Sequence, residues 1–210
     1  TAELSDFVAA LQSVTERDVT AWADRWLRTT GVDTVRVRRT GGTVELELVG
    51  ERPHRLRVHG YAVPAAAGEE VTAAWEEVVD LSPEEPVVSL PAADLVVPNS
   101  TGDTFVRVDL GAADLATARE TLGQVPDQHP RAILWATLLE LAQRGGLRAE
   151  DLVVALEQHL PGEETDFVLD LVLSRAVATV RAVAEAAAVP ALTERLGQVA
   201  LVLLGRPEVA

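Results

Sequence analysis

The chain reads as an α+β multidomain protein: a short helical segment, then an antiparallel β-sandwich, then an all-α, solenoid-like helical domain. Three observations carry this reading. Apolar residues recur at helical spacing as far as Leu27, alternate with polar ones from Val35 to Leu110, and return to helical spacing from Leu115 onward. The expected divisions are 1–31, 32–110 and 111–210.

Leu4, Phe7, Val8 and Leu11 stand at i, i+3, i+4 and i+7, one helical stripe. Residues 18–28 repeat the pattern, with Asp18 or Thr15 as N-cap and Gly31 as terminator. Trp22 and Trp26 lie one turn apart, so both rings share a face with Val19 and Ala23. The small helix around Phe7 cannot cover two indoles, and no partner for that face is visible downstream.

The period then changes. Val35 and Val37 alternate with arginines, Gly41-Gly42 turns the chain, and Val44, Leu46 and Leu48 alternate with polar residues, a hairpin with one wet face. Leu56 to His59 follows Pro53, which suits the mouth of a strand. The stretch Glu70 to Leu81 fits both periods and is assigned as strand from its neighbours. Pro86 to Leu90, Leu95 to Val97 and Thr104 to Leu110 complete about seven short strands, the pattern of a sandwich.

Helical stripes follow at 115–122, 131–144, 151–160, 166–187 and 190–204. Breakers separate them: Pro126 and Pro130, Gly145-Gly146, Pro161-Gly162 and Pro190. Five helices with short links suggest paired antiparallel helices and the start of an α-solenoid.

Composition excludes several functions. A net charge of −15 repels nucleic acid, and the trio Arg36, Arg38 and Arg39 reads as the wet face of a strand. Without cysteine there is no disulfide, thiolate catalysis or cysteine-held zinc. No apolar run is long enough to span a membrane. Glu3 and Asp6 stand where a secretory leader would be basic, which points to the cytoplasm. Every basic side chain is arginine, Ile133 is the only isoleucine and Asn99 the only asparagine, a bias that reports a GC-rich genome.

No active-site pattern emerges. His54, His59, His129 and His159 show no H-E-x-x-H spacing, and His54 and His59 fall on opposite faces of a strand. All four read as exposed or hydrogen-bonded structural histidines. Nucleophile elbows and phosphate-cradling glycine loops are missing. Glu163, Glu164 and Asp166 read as acids at a helix N-terminus, with Thr165 or Asp166 as the cap. Asn99-Ser100-Thr101 matches a glycosylation sequon but reads as a turn. Catalytic and metal-binding residues are therefore assigned to no position, and substrate-binding residues are unknown.

Four stretches in order resemble the C-terminal portion of zinc aminopeptidases of the aminopeptidase N type, most like the actinobacterial branch. They are Trp22 to Asp33, Arg52 to Val58, Leu95 to Leu110, and Arg131 through Trp135 to Asp151; the Glu164-Thr165-Asp166 triplet follows. Between Val63 and Pro91 the likeness loosens, with Ala65-Ala66-Ala67 where a charged hairpin is usual, and Asn99 to Gly102 is less acidic than that branch. The resemblance implies that residues 1–31 are the last helices of a catalytic domain, 32–110 its sandwich and 111–210 the first part of its helical domain. It implies a zinc cofactor in the parent and none in this chain, because the family's H-E-x-x-H and G-x-M-E-N motifs have no counterpart here. The parent would remove N-terminal residues from peptides, and this portion would brace the catalytic domain and enclose the substrate chamber. Its partner is that upstream domain, with neither nucleic acid nor membrane; a bared Trp22/Trp26 face would drive dimerisation. The rival reading is a stand-alone protein-binding or scaffold module with no enzymatic parent.

Overall fold

The computed structural model describes residues 2–64 and 70–205; the Ala65–Ala67 run lies outside them. Two short helices lead: α1 (Leu4–Gln12) and α2 (Val19–Trp26). Asp18 caps α2, its Oδ1 accepting from Ala21 N at 2.8 Å. The intervening turn is tied by the Gln12 side chain, which donates to Thr15 O and Arg17 O and accepts from Val19 N. Gly31 then takes a positive φ of 94°, where a side chain would be strained, and the chain enters the strands.

Among the described residues seven strands follow: β1 (Thr34–Thr40), β2 (Thr43–Val49), β3 (His54–Ala62), β4 (Thr72–Leu81), β5 (Val87–Leu90), β6 (Leu95–Pro98) and β7 (Arg107–Asp109). The ambiguous segment before Leu81 is therefore a strand, ten residues long. One sheet has the order β5-β2-β1-β7 and the other β4-β3-β6. One pairing departs from the antiparallel expectation. β7 runs parallel to β1, Thr34 opposite Arg107, because the chain crosses from β6 in the other sheet before it pairs.

The sandwich core is built from inward residues of alternating strands: Val35, Val37, Val44, Leu46, Leu48, Leu56, Val58, Val79, Leu81, Leu90 and Val96. Each such aliphatic side chain contributes about 1.5–3 kcal/mol when fully buried. Gly60 lets the Trp75 ring lie on the β3 backbone; a Cβ there would meet the ring at 2.2 Å.

Helices complete the chain: α3 (Gly111–Thr121), α4 (Gln128–Gln143), α5 (Ala149–His159), α6 (Asp166–Val183) and α7 (Val189–Leu204). α6 stops four residues short of the predicted Ala187, with Ala184 already extended. α4 packs on α6 and α5 on α7, so helices two apart stack in one layer, the solenoid arrangement. Trp135, Leu138, Leu152, Leu156, Val168 and Val180 fill the space between the layers. Tyr61, Val71, Leu95, Val97 and Leu110 of the strand region belong to this same core. Sandwich and helices thus share buried surface directly rather than through a flexible link. No described helix is long and apolar enough to cross a membrane.

Candidate functional site

Strand direction sorts the connections into two ends. β1, β3, β5 and β7 begin where β2, β4 and β6 finish, so residues 27–33, 50–53, 82–86 and 99–106 gather at one end with α2. The opposite end passes into α3. The first is termed the lead end.

A buried polar knot fastens α2 there. The Arg52 guanidinium donates to Arg25 O at 3.0 Å, in the last turn of α2, and to Thr30 O at 3.0 Å in the loop beyond it. It also donates to Thr29 Oγ1 at 2.7 Å and Asp33 Oδ1 at 3.2 Å. The other Asp33 oxygen meets His54 Nε2 at 3.0 Å and accepts from Arg52 N at 3.2 Å. Burial acts to raise the Asp33 carboxyl, but the His54 hydrogen bond, the Glu51 N–H and the Arg52 charge outweigh it and hold it below the usual range. A shallow cleft of about 320 Å³ lies beside the knot, between Arg25, Thr29–Asp33 and Val49–Arg52.

The knot corrects one expectation. Trp26 finds its partner downstream: its ring meets His54 edge-on at 5.1 Å and lies 5.7 Å from the Arg52 guanidinium. Val19 and Ala23 are buried as well. Only Trp22 stays largely open, at 42% exposure. The partner was invisible because it sits on a strand 28 residues away, as counted from Trp26 to His54.

The loop after β6 is over-determined. Asn99 adopts φ 51°, its Nδ2 donates to Thr104 O at 2.9 Å, and its Oδ1 accepts from Thr104 N at 3.2 Å. Ser100 donates to Arg57 O, and Asp103 accepts from Arg57 N at 2.9 Å. The sequon asparagine is thus a buried turn residue with its amide engaged. Thr104 Oγ1 sits 2.9 Å from His54 Nδ1, which joins this loop to the knot.

At the opposite end, Arg39 departs from the wet-face reading of its trio. Arg36 and Arg38 do pair across the sheet surface, with Asp109 and Glu47. Arg39 has inward parity; it reaches past the core to donate to both Asp114 oxygens at 2.6 Å and to Ala93 O at 2.8 Å. Asp114 Oδ1 also accepts from Val96 N. Tyr61 donates to Asp127 at 3.2 Å, and its burial, with the Asp127 charge beside it, pushes the phenol far above its ordinary range. Arg107 pairs with Glu140 of α4. These are clamps between sandwich and helices.

The acidic cluster before α6 is also corrected. Thr165 occupies the cap position but makes no side-chain cap bond; it accepts from Arg131 at 3.2 Å. Glu163 is buried and receives Arg131 Nε and Nη2 at 2.8 and 2.9 Å. Burial opposes its ionisation, yet Arg131 and the Thr165 N–H hold its carboxyl below the usual range. Arg131 lies 32 residues from Glu163, which no local spacing could reveal.

The histidines do not converge. His54 sits in the knot, His59 faces the other side of β3 against Ser100 at 2.8 Å, His129 lies by Phe167, and His159 meets Arg119 O. Among the described residues no three histidine, aspartate or glutamate side chains group to hold a metal. The buried charges Asp33, Arg52, Asp114 and Glu163 are each engaged by an opposite charge, an arrangement suited to fastening elements.

No protein-family profile matches the chain. The chain is similar to aminopeptidase N of Streptomyces lividans, 25% identical over 185 residues, a match covering 78% of this chain. That match covers 21% of the relative, so the chain spans about a fifth of the length of the protein it resembles.

Proposed function

We propose that this chain is a non-catalytic, C-terminal portion of a zinc-dependent aminopeptidase of the aminopeptidase N type. The single observation that carries the reading is the similarity itself: most of this chain matches a small part of a much longer protein of that name. The four histidines of this chain lie on separate sites and do not fit a shared zinc, so the metal of this reading belongs to the upstream catalytic domain.

In this reading the parent removes N-terminal residues from peptides in the cytoplasm. The chain's role is mechanical: it braces the catalytic domain and helps to enclose the chamber that peptides enter. Two features support a brace. The knot of Asp33, Arg52 and His54 fixes α2 on the sandwich, and the Arg39–Asp114 clamp fixes the sandwich on the helices. Rigid joints at both ends transmit position from one flank to the other.

The test is direct. An H-E-x-x-H helix a few hundred residues upstream of Thr1 in the same open reading frame is the expected finding. A start codon directly before Thr1 would overturn the reading in favour of a stand-alone module. Purified 210-residue chain is expected to release no product from aminoacyl-anilides with or without zinc, and robust turnover would overturn it equally.

A further inference from the structure

The sandwich leaves one long sheet edge open, and that edge is β4. The edge strands of the two sheets are β5, β7, β4 and β6. β5 has four residues, β6 is backed by α3 and α4, and β7 has three residues with α4 against it. β4 runs for ten residues, and from Thr72 to Val78 all are exposed except the half-buried Trp75. A long open edge, with unpaired peptide groups along it, is a template for another strand.

Backbone direction on β3 tells which groups of β4 face outward. Arg57 O accepts from Ser100 N, Tyr61 O accepts from Asp94 N, and Arg57 N donates to Asp103, all away from β4. Odd-numbered residues of β3 therefore turn their peptide groups toward β6, and even-numbered ones turn theirs toward β4. Leu56 stands opposite Val79 and Val58 opposite Glu77, so those β4 residues exchange bonds with β3. Glu76, Val78 and Asp80 alternate with them and turn their N–H and C=O groups to the free edge. Their side chains share the outer face, since Val79 and Leu81 fill the core and Val78 is 47% exposed. One row of three residues thus offers backbone bonds along the edge and an acid–valine–acid pattern on the outer face.

We infer that β4 takes up an extended cationic peptide as an added strand, with basic side chains beside Glu76 and Asp80 and an apolar one beside Val78. Charge selects this occupant. β4 carries Glu76, Glu77 and Asp80 and no basic residue. Arg57 and His59 meet Glu76 from the β3 side, and Arg55 meets Asp80. The two carboxylates nevertheless remain 47% and 69% exposed, so a base on the open flank reaches them. Each row across the sheet then alternates in sign: arginine, carboxylate, base. A second copy of the chain fits poorly. Two β4 strands paired antiparallel about Val78 set each Glu76 opposite an Asp80, and each chain carries a net charge of −15. The inference goes beyond the proposed function and does not depend on it, since it uses only the edge of the sandwich.

The probe is the acetylated and amidated peptide Thr-Arg-Thr-Val-Thr-Arg-Thr, whose symmetry sets its valine beside Val78 in either strand direction. It is added to the full encoded polypeptide, and amide exchange is read residue by residue across 72–81 by mass spectrometry. Exchange at Glu76, Val78 and Asp80 is expected to slow about ten-fold. Replacing both peptide arginines by glutamate should weaken binding about ten-fold, and equal binding would overturn the choice of a cationic occupant. N-methylation of the peptide valine keeps the charge and removes a ladder hydrogen bond. It should also weaken binding, whereas undiminished binding would reduce the effect to attraction by an acidic surface and overturn strand addition. Val78→Pro removes an N–H of the free edge and none that bonds β3, so the fold should survive and the protection disappear. If that variant does not fold, the two peptide replacements still decide. Binding without any slowing in β4 would place the peptide elsewhere and overturn the inference. Slow exchange at the three residues before peptide is added would do the same, by showing that the polypeptide covers its own edge. A start codon directly before Thr1 would overturn the aminopeptidase reading and leave this one standing.

Discussion

Arg131 of α4 grips Glu163 through two nitrogen–oxygen contacts of 2.8 and 2.9 Å, and holds the segment that enters α6 against the start of α4. The same guanidinium donates to Val125 O and Pro126 O, so one side chain joins the turn before α4 to the segment that enters α6. Removing either partner leaves the other charge buried. Glu163→Ala is expected to destabilise the chain by about 3–5 kcal/mol, read as a lower urea midpoint with the slope unchanged. A loss below about 1 kcal/mol would mean that solvent reaches Arg131 freely.

Acid should loosen this chain through carboxyls held low by their partners, the buried Asp33 and Glu163 among them. Asp33 and Glu163 both titrate below their ordinary values of 3.8 and 4.5 in the folded state. Their stabilisation is therefore complete above those values and is lost as pH falls through the lower folded ones. The urea midpoint should fall on acidification from about pH 5 to about pH 3. Asp33→Asn should start lower and fall less steeply over that range, and an unchanged slope would remove Asp33 from the account.

Gly60 tests the sandwich packing. Alanine there would place Cβ at 2.2 Å from the Trp75 ring, whose Nε1 donates to Ala92 O at 3.1 Å. The indole is rigid and must move as a whole. Gly60→Ala is expected to cost about 1–3 kcal/mol and to alter the near-ultraviolet circular dichroism of tryptophan.

Asn99 tests the loop. Asn99→Ala keeps the strained backbone but loses the two amide bonds to Thr104, for an expected cost of about 2 kcal/mol. Asn99→Gly relieves the strain and should cost less. Equal losses in thermal denaturation would show that the hydrogen bonds, not the left-handed turn, set the stability of this loop.

Particular elements show how far the sequence could be read. The alternation of Val44, Leu46 and Leu48 identified β2 and its buried face, and the stripe through Leu134, Trp135 and Leu138 identified α4. Glu70 to Leu81 satisfied both periods, and its strand state was decided by pairing with β3. Arg39 and Arg38 looked alike in sequence, yet one lies on the sheet surface and the other is fastened to Asp114, 75 residues away. The absence of a recognisable active-site pattern was legible directly, since a missing H-E-x-x-H needs no fold to notice.

Outside residues 70–81, the sequence by itself determined the order of helices and strands, because a backbone period of 2 or 3.6 residues is a local property and needs only near neighbours. It also determined the kind of protein this resembles. Tertiary structure alone decided that β7 runs parallel to β1, that Trp26 rests on His54, and that Arg131 holds Glu163. Each depends on contacts between residues far apart in the chain. Such contacts form only where chain direction, sheet closure and the burial of charge are satisfied together, and no window of sequence contains all three.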